Sequence, residues 1–337
     1  MDFRLLLLSK HRNAIMGFAI LWVMLFHLPG HIGFWPFNFL KSIGYGGVDI
    51  FLFLSGFGLY YSMSKDNFNL KQYWKRRFSR IMPEFWTVLV AVFLIRMDFS
   101  RSSFFDLIIH ASTLAYWILG KGELWYISCI MLFYVLYPYY FKLFKRYGIR
   151  VPLIAIGIAF VLIISYAIIC VVFFNRQNVL GLAVLTIARI PIFILGSVFA
   201  HWAKYRGEMK LSRNLMLFGF ISALCALVAL YQFMRFFPDC LWSCSLFFIP
   251  FIVITPFMCV LLAMFFDKFV FSDAVFGYIG LMSLELYMCH EYSYQLFDHF
   301  VYSWGNVMAY VLVLLLSVMT AYLLYFMNKM ILQKITL

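Results

Sequence analysis

The sequence predicts an all-α, polytopic membrane protein, a single bundle of about ten transmembrane helices. Hydrophobic residues make up 65% of the 337 and charged residues only 12%, whereas about a quarter of a soluble domain is charged. The mean hydropathy is +0.92. The apolar residues gather into ten stretches, near 13–32, 46–64, 82–99, 124–144, 152–174, 180–202, 213–235, 246–266, 275–296 and 302–327. About 20 residues is the length that crosses the hydrocarbon core as a helix, whereas strands of a membrane barrel alternate over about ten.

A formal net charge of +13 raises the question of a nucleic-acid partner, and the placement of the cations answers it. With the N-terminus in the cytoplasm, 20 of the 27 Lys and Arg fall in inner segments: Arg4 to Arg12, Lys65 to Arg80, Lys142 to Arg150, Lys204 to Arg213, Lys268, Lys329 and Lys334. This is the positive-inside bias. It sets both termini in the cytoplasm and makes membrane lipids, not nucleic acid, the partner of the charge. No fixed-period repeat and no linker-like segment divides the chain, so 1–337 reads as one membrane domain.

In chain order, residues 1–12 have too short an apolar run for a cleaved signal peptide and read as an interfacial lead-in. The first span ends in His27, roughly 21 Å from its start. The second, opening GGVDIFLFLSGFG at 46–58, carries Asp49, and a carboxylate at mid-membrane costs roughly 2.5–3.5 kcal/mol on insertion scales. The connection between the spans is short, so the expectation is that Asp49 faces His27 and holds its tautomer, the pairing that supports a general base. Ser55 points away from Asp49.

The basic loop FNLKQYWKRRFSRIMPEFW, 68–86, gathers Lys75, Arg76, Arg77 and Arg80 ahead of Pro83, which is expected to open the third helix at its first turn. Such a cluster serves topology, anionic lipid or a phosphorylated ligand gripped by Arg forks. Segment 100–122 is too short to span and is expected to be a re-entrant or interfacial helix. Cys240 and Cys244 lie in an outer loop where a disulfide is permitted, although their spacing equally suits one exposed turn with nothing bonded. No His or further Cys stands near them, and no metal site is expected. In the ninth span, GLMSLELYMCH, the residues Ser283, Tyr287 and His290 share a helical face and Glu285 lies on another. Ionisable groups inside a membrane mark functional sites by default.

These segments, in order, resemble the acyltransferase family 3 membrane proteins, bacterial O-acyltransferases of cell-surface sugars. The matching stretches are FAILWVMLFH ending at His27, GGVDIFLFLSGF around Asp49, FSRIMP after Arg76 and Arg77, LWYISCIMLFYVLYP led by Trp125, ARIPIFILG at 188–196, and SLELYMCH ending at His290. The resemblance implies transfer of an acyl group, typically acetyl, from cytoplasmic acyl-CoA (acetyl-CoA or another acyl-CoA) to a hydroxyl of a polysaccharide or lipid-linked sugar at the bacterial cytoplasmic membrane. It also implies that His27 is the essential residue. The family's basic residue eleven positions before that His is Met16 here, leaving Arg12, one turn earlier, as the available cation. A fourth-span Glu of many members is Ile130.

The expected chemistry makes His27 the base, with Asp49 and His290 beside it. Arg12, Arg77 and Arg80 would bind the donor phosphates, and Ser283, Tyr287 and Trp125 would line the acceptor site. Whether the acyl group moves directly or through an acyl-histidine stays open. The competing expectation is a transporter or flippase with a His/Asp proton relay, or a lipid-binding scaffold. No inverted repeat or matched pair of interrupted helices supports transport.

Overall fold

The computed structural model describes residues 5–28, 34–65, 67–96, 101–119, 124–173, 183–206, 213–234, 246–304 and 306–336. Cys240 and Cys244 lie outside these residues. Among the described residues the secondary structure is helical throughout. In chain order the helices are α1 (Leu7–Lys10), α2 (Arg12–His27), α3 (Trp35–Ser42), α4 (Gly46–Met63), α5 (Leu70–Arg96), α6 (Arg101–Ala111), α7 (Ala115–Leu119) and α8 (Trp125–Tyr147). They continue as α9 (Arg150–Phe173), α10 (Ala183–Arg206), α11 (Arg213–Met234), a 3-10 turn at Leu246–Phe248, α12 (Phe251–Lys268), α13 (Val270–Leu281), α14 (Ser283–Trp304) and α15 (Asn306–Thr336).

Each of the ten apolar stretches coincides with one of these helices or a bent pair of them. Among the described residues six helices are long and apolar enough to cross a membrane, and up to eight spans result if each bent pair counts as one: α3 with α4, bent by 46°, and α13 with α14, bent by 69° at Met282. α2 and the apolar part of α11 are shorter. The protein is thus a multi-pass membrane protein. α9 and α15 present Leu153, Ile154, Ile158 and Val161, and Leu315, Met319, Tyr322 and Leu323, outward, as helices bathed in lipid do. α6 and α7 are each too short to span.

The third helix departs from expectation. The basic segment is no loop: α5 begins at Leu70, where the Asn69 side chain accepts from the Gln72 N–H at 3.1 Å, a side-chain cap that starts the helix well before Pro83. Pro83 therefore sits inside α5, and Arg77, Arg80 and Glu84 follow one another along one side of it at three- and four-residue spacing.

Two seams of small residues bring helices together at backbone distance. Where α2 crosses α13, a methyl group on Gly17 would overlap the Phe276 carbonyl oxygen and one on Gly280 the Asn13 carbonyl oxygen. Where α4 crosses α10, Gly56 meets Phe193 and Gly196 meets Phe53 in the same way. Such contacts replace the hydrophobic drive that lipid removes. At the end of the bundle where α2 begins, the basic end, the buried His11 ring places Nδ1 2.7 Å from Asp273 Oδ1 and Nε2 3.1 Å from Asp267 Oδ1, and Lys10 Nζ lies 2.6 Å from Asp267. This knot ties the start of α2 to the α12–α13 corner.

Candidate active site

His27 is the last residue of α2, its side chain open at the end of the bundle opposite the basic one. α14 brings His290, 1% exposed, to within 3.3 Å, Nε2 of His290 to Nδ1 of His27. The Tyr294 hydroxyl donates to the Met24 carbonyl at 3.0 Å, pinning α14 to the last turn of α2. The carbonyl neighbours assign the protons. His290 Nδ1 lies 2.8 Å from the Tyr287 oxygen and 3.1 Å from the Leu286 oxygen, and because a carbonyl only accepts, that nitrogen carries hydrogen and Nε2 carries the lone pair. His27 Nδ1, between the Val23 oxygen at 3.0 Å and that lone pair, is then also a donor. The Nε2 of His27 is left as the basic nitrogen.

Below the pair, a narrow cavity of ≈ 40 Å³ runs toward the basic end, lined by Arg12, Met16, Phe51, Ser55, Arg80, Ile81, Tyr126, Tyr134, Ser283, Leu284 and Tyr287. Four of the expected site residues, Arg12, Arg80, Ser283 and Tyr287, share this one space. Arg77 stands beside it, its guanidinium carbon 5.3 Å from the centre of the Tyr134 ring. Arg12 is within electrostatic reach of both Arg77 and Arg80. The Arg12 guanidinium lies against Gly58 of α4, so the cation one turn before Met16 reaches the same cavity that Met16 lines. Tyr287, at the other end, accepts from the Tyr126 N–H at 3.3 Å, which leaves its own hydrogen to donate.

Asp49 and Trp125 are not where the expectation put them. Asp49, 2% exposed, faces Arg189 of α10, Oδ1 to Nε 3.4 Å. Gly47 of the same helix packs on the Ala19 backbone of α2, and a residue two positions on points about 200° away, toward α10. The carboxylate is therefore half of a buried ion pair and does not orient His27. Trp125 covers that pair: Arg189 Cζ is 4.7 Å from the Trp125 ring centre and 4.1 Å from that of Phe248, a cation held between two aromatic faces. Trp125 is not among the residues lining the cavity.

A family model described as an acyltransferase domain matches residues 13–326. The chain belongs to acyltransferase family 3. Neither the comparison with curated proteins nor that with solved structures returned a match.

The acyltransferase holds one further constellation that the residue pattern did not reveal. Glu84 of α5 and Glu285 of α14 are both buried and near enough for their carboxyl groups to act on each other, with Arg80 acting electrostatically on both. Glu285 does lie off the Ser283–Tyr287–His290 face, as its helical phase requires, and spends its side chain on this contact next to the cavity's arginine. The one sequence signal was Arg80 four residues before Glu84, on what read as a loop. As a whole the site offers a lone-pair imidazole nitrogen, an adjacent hydroxyl donor and a cationic far end, the components of base-catalysed acyl transfer.

Proposed function

We propose that this acyltransferase moves an acyl group, acetyl by preference, from cytoplasmic acyl-CoA to a hydroxyl of a cell-surface or exported carbohydrate, as an O-acyltransferase of the bacterial cytoplasmic membrane. The basic end and both termini lie in the cytoplasm in this reading, in keeping with the distribution of Lys and Arg. The observation that carries it is the alignment of one narrow cavity with Arg12 and Arg80 at the basic end, Tyr287 at the other, and the His290–His27 pair directly beyond.

His27 Nε2 takes the proton of the acceptor hydroxyl as its oxygen attacks the thioester carbonyl. The tetrahedral oxyanion receives a hydrogen bond from the Tyr287 hydroxyl. The C–S bond then breaks, and the departing thiolate takes the proton back from His27, so that ester and free thiol leave. His290 accepts from His27 Nδ1–H throughout and keeps the ring in the tautomer the base needs. Arg12, Arg77 and Arg80 hold donor phosphates through guanidinium forks. Ser283 lines the path, next to the bend that starts α14. The buried partner of Asp49 favours this reading over a proton relay, because a carboxylate locked to Arg189 is committed to an ion pair.

The test is direct. Purified protein in lipid nanodiscs, given labelled acetyl-CoA and a carbohydrate extract, should release free thiol and label the sugar. Carbohydrate uptake into vesicles without thiol release would sink the enzyme reading in favour of transport.

A further inference from the structure

A second, larger cavity of ≈ 390 Å³ opens at the basic end between α4, α8 and α10, lined by Tyr60, Met63, Ser64, Lys65, Phe141, Phe144, Lys145, Gly148, His201, Lys204 and Tyr205. It lies on the same two helices as the first cavity, farther toward the basic end. On α4 the lining moves from Ser55 to Tyr60 through Lys65, and on α8 from Tyr134 to Phe141 through Gly148. Seven residues of helix amount to about 10 Å. Three ammonium groups converge on it, Lys145 from α8, Lys204 from α10 and Lys65 from the turn after α4, and among the described residues no carboxylate lines it. Lys204 donates to the Ser64 carbonyl at 3.0 Å, which covers the end of α4, while Lys65 and Lys145 project from exposed positions. Topology alone would scatter these cations over the surface and does not call for one concavity.

The rest of the lining is aromatic. The Tyr60 hydroxyl is paired with His201 Nδ1 at 2.7 Å, Tyr60 and Phe144 pack on the His201 ring, and Tyr205, 66% exposed, stands at its edge with ring centres 4.8 Å apart. Gly148, in a left-handed conformation after α8, has open space where a side chain would point. Cations above an aromatic floor suit a ligand that is at once anionic and planar. A lipid headgroup has the phosphate and lacks the planar base. The volume falls in the range of small-ligand sites, about 300–1,000 Å³.

We infer that this cavity is a nucleoside-phosphate site that seats the 3′-phosphoadenosine end of the acyl donor, with its acyl-bearing arm directed along α4 and α8 toward the first cavity. The inference rests on the acyl-CoA reading above, and it assigns to Lys65 and Lys145 a role separate from that of the arginines.

Full-length protein in phosphatidylcholine nanodiscs is titrated calorimetrically with adenosine 3′,5′-bisphosphate, alongside the double variant Lys65→Gln/Lys145→Gln, whose exposed side chains can be changed without opening the core. The wild type should bind and the variant should bind at least about tenfold more weakly, the loss expected from one or two charge-assisted contacts. In turnover, the variant's preference for acetyl-CoA over acetyl-pantetheine should fall by a similar factor. Equal affinity in both proteins, or no binding to the wild type, overturns the site. Loss of nucleotide binding when phosphatidylglycerol is added reassigns the cavity to lipid headgroups and overturns it as well. Absence of thiol release with nucleotide binding intact would instead overturn the proposed reaction and leave this site standing.

Discussion

The two ends of α2 hold the same side chain in different company. Before its first turn, His11 places each ring nitrogen on a carboxylate, Asp273 at 2.7 Å and Asp267 at 3.1 Å. To serve both oxygens each nitrogen must carry hydrogen, and no lone pair is left. At the other end, His27 has a backbone carbonyl and a second imidazole on one nitrogen, and the second nitrogen keeps its lone pair. One ring is a clamp and the other is equipped as a base. The partners decide which, and residue type and depth in the helix do not.

The strongest way to break this contrast is His27→Ala. Turnover should fall by about 10²- to 10⁴-fold, the usual worth of a general base, while the unfolding temperature in detergent stays at the wild-type value because the ring is exposed. Near wild-type turnover would remove His27 from the chemistry. Asp49 can be assigned to one class or the other by Arg189→Met, which strands a buried carboxylate at a cost of about 3–5 kcal/mol. Adding Asp49→Asn to that variant should restore part of the stability, read by thermal unfolding. If the double variant is no more stable than the single one, Asp49 has some other partner.

A finer test is His290→Ala. Losing one long neutral hydrogen bond should lower kcat by about tenfold or less with the donor KM little changed, since the base remains and the Val23 carbonyl still holds the hydrogen on Nδ1. Smallest is His11→Ala, for which the contrast predicts an unfolding temperature lower by a few degrees and unchanged turnover per folded molecule. A loss of kcat matching that of His27→Ala would erase the distinction between the two ends.

Much of this was legible in the chain. The ten apolar stretches mark the helices because lipid demands length and apolarity of each one separately, and the helical phase of SLELYMCH placed Ser283 and Tyr287 on the cavity and His290 beside His27. What failed depended on which neighbour a face meets. α2 and α4 do pack together, as their short connection requires, but through Gly47, so Asp49 turns to α10, and nothing local in GGVDIFLFLSGFG names Arg189 as its partner 140 residues on. The start of α5 was missed because the charge of KQYWKRRFSR resembles a loop, whereas the cap at Asn69 and the packing of Tyr73, 1% exposed, make it helix. Glu84 and Glu285 bring two carboxyl groups together from helices about 200 residues apart in the chain, a neighbourhood that only tertiary packing creates.

The ≈ 40 Å³ of the first cavity falls well short of the roughly 300–1,000 Å³ of ordinary small-ligand sites. An acyl donor arriving there has to part the side chains that line it, so entry and widening of the passage are one event. The ease with which the helices around Ser55, Tyr134 and Leu284 spread apart then sets a ceiling on turnover, whatever rate the imidazole could sustain.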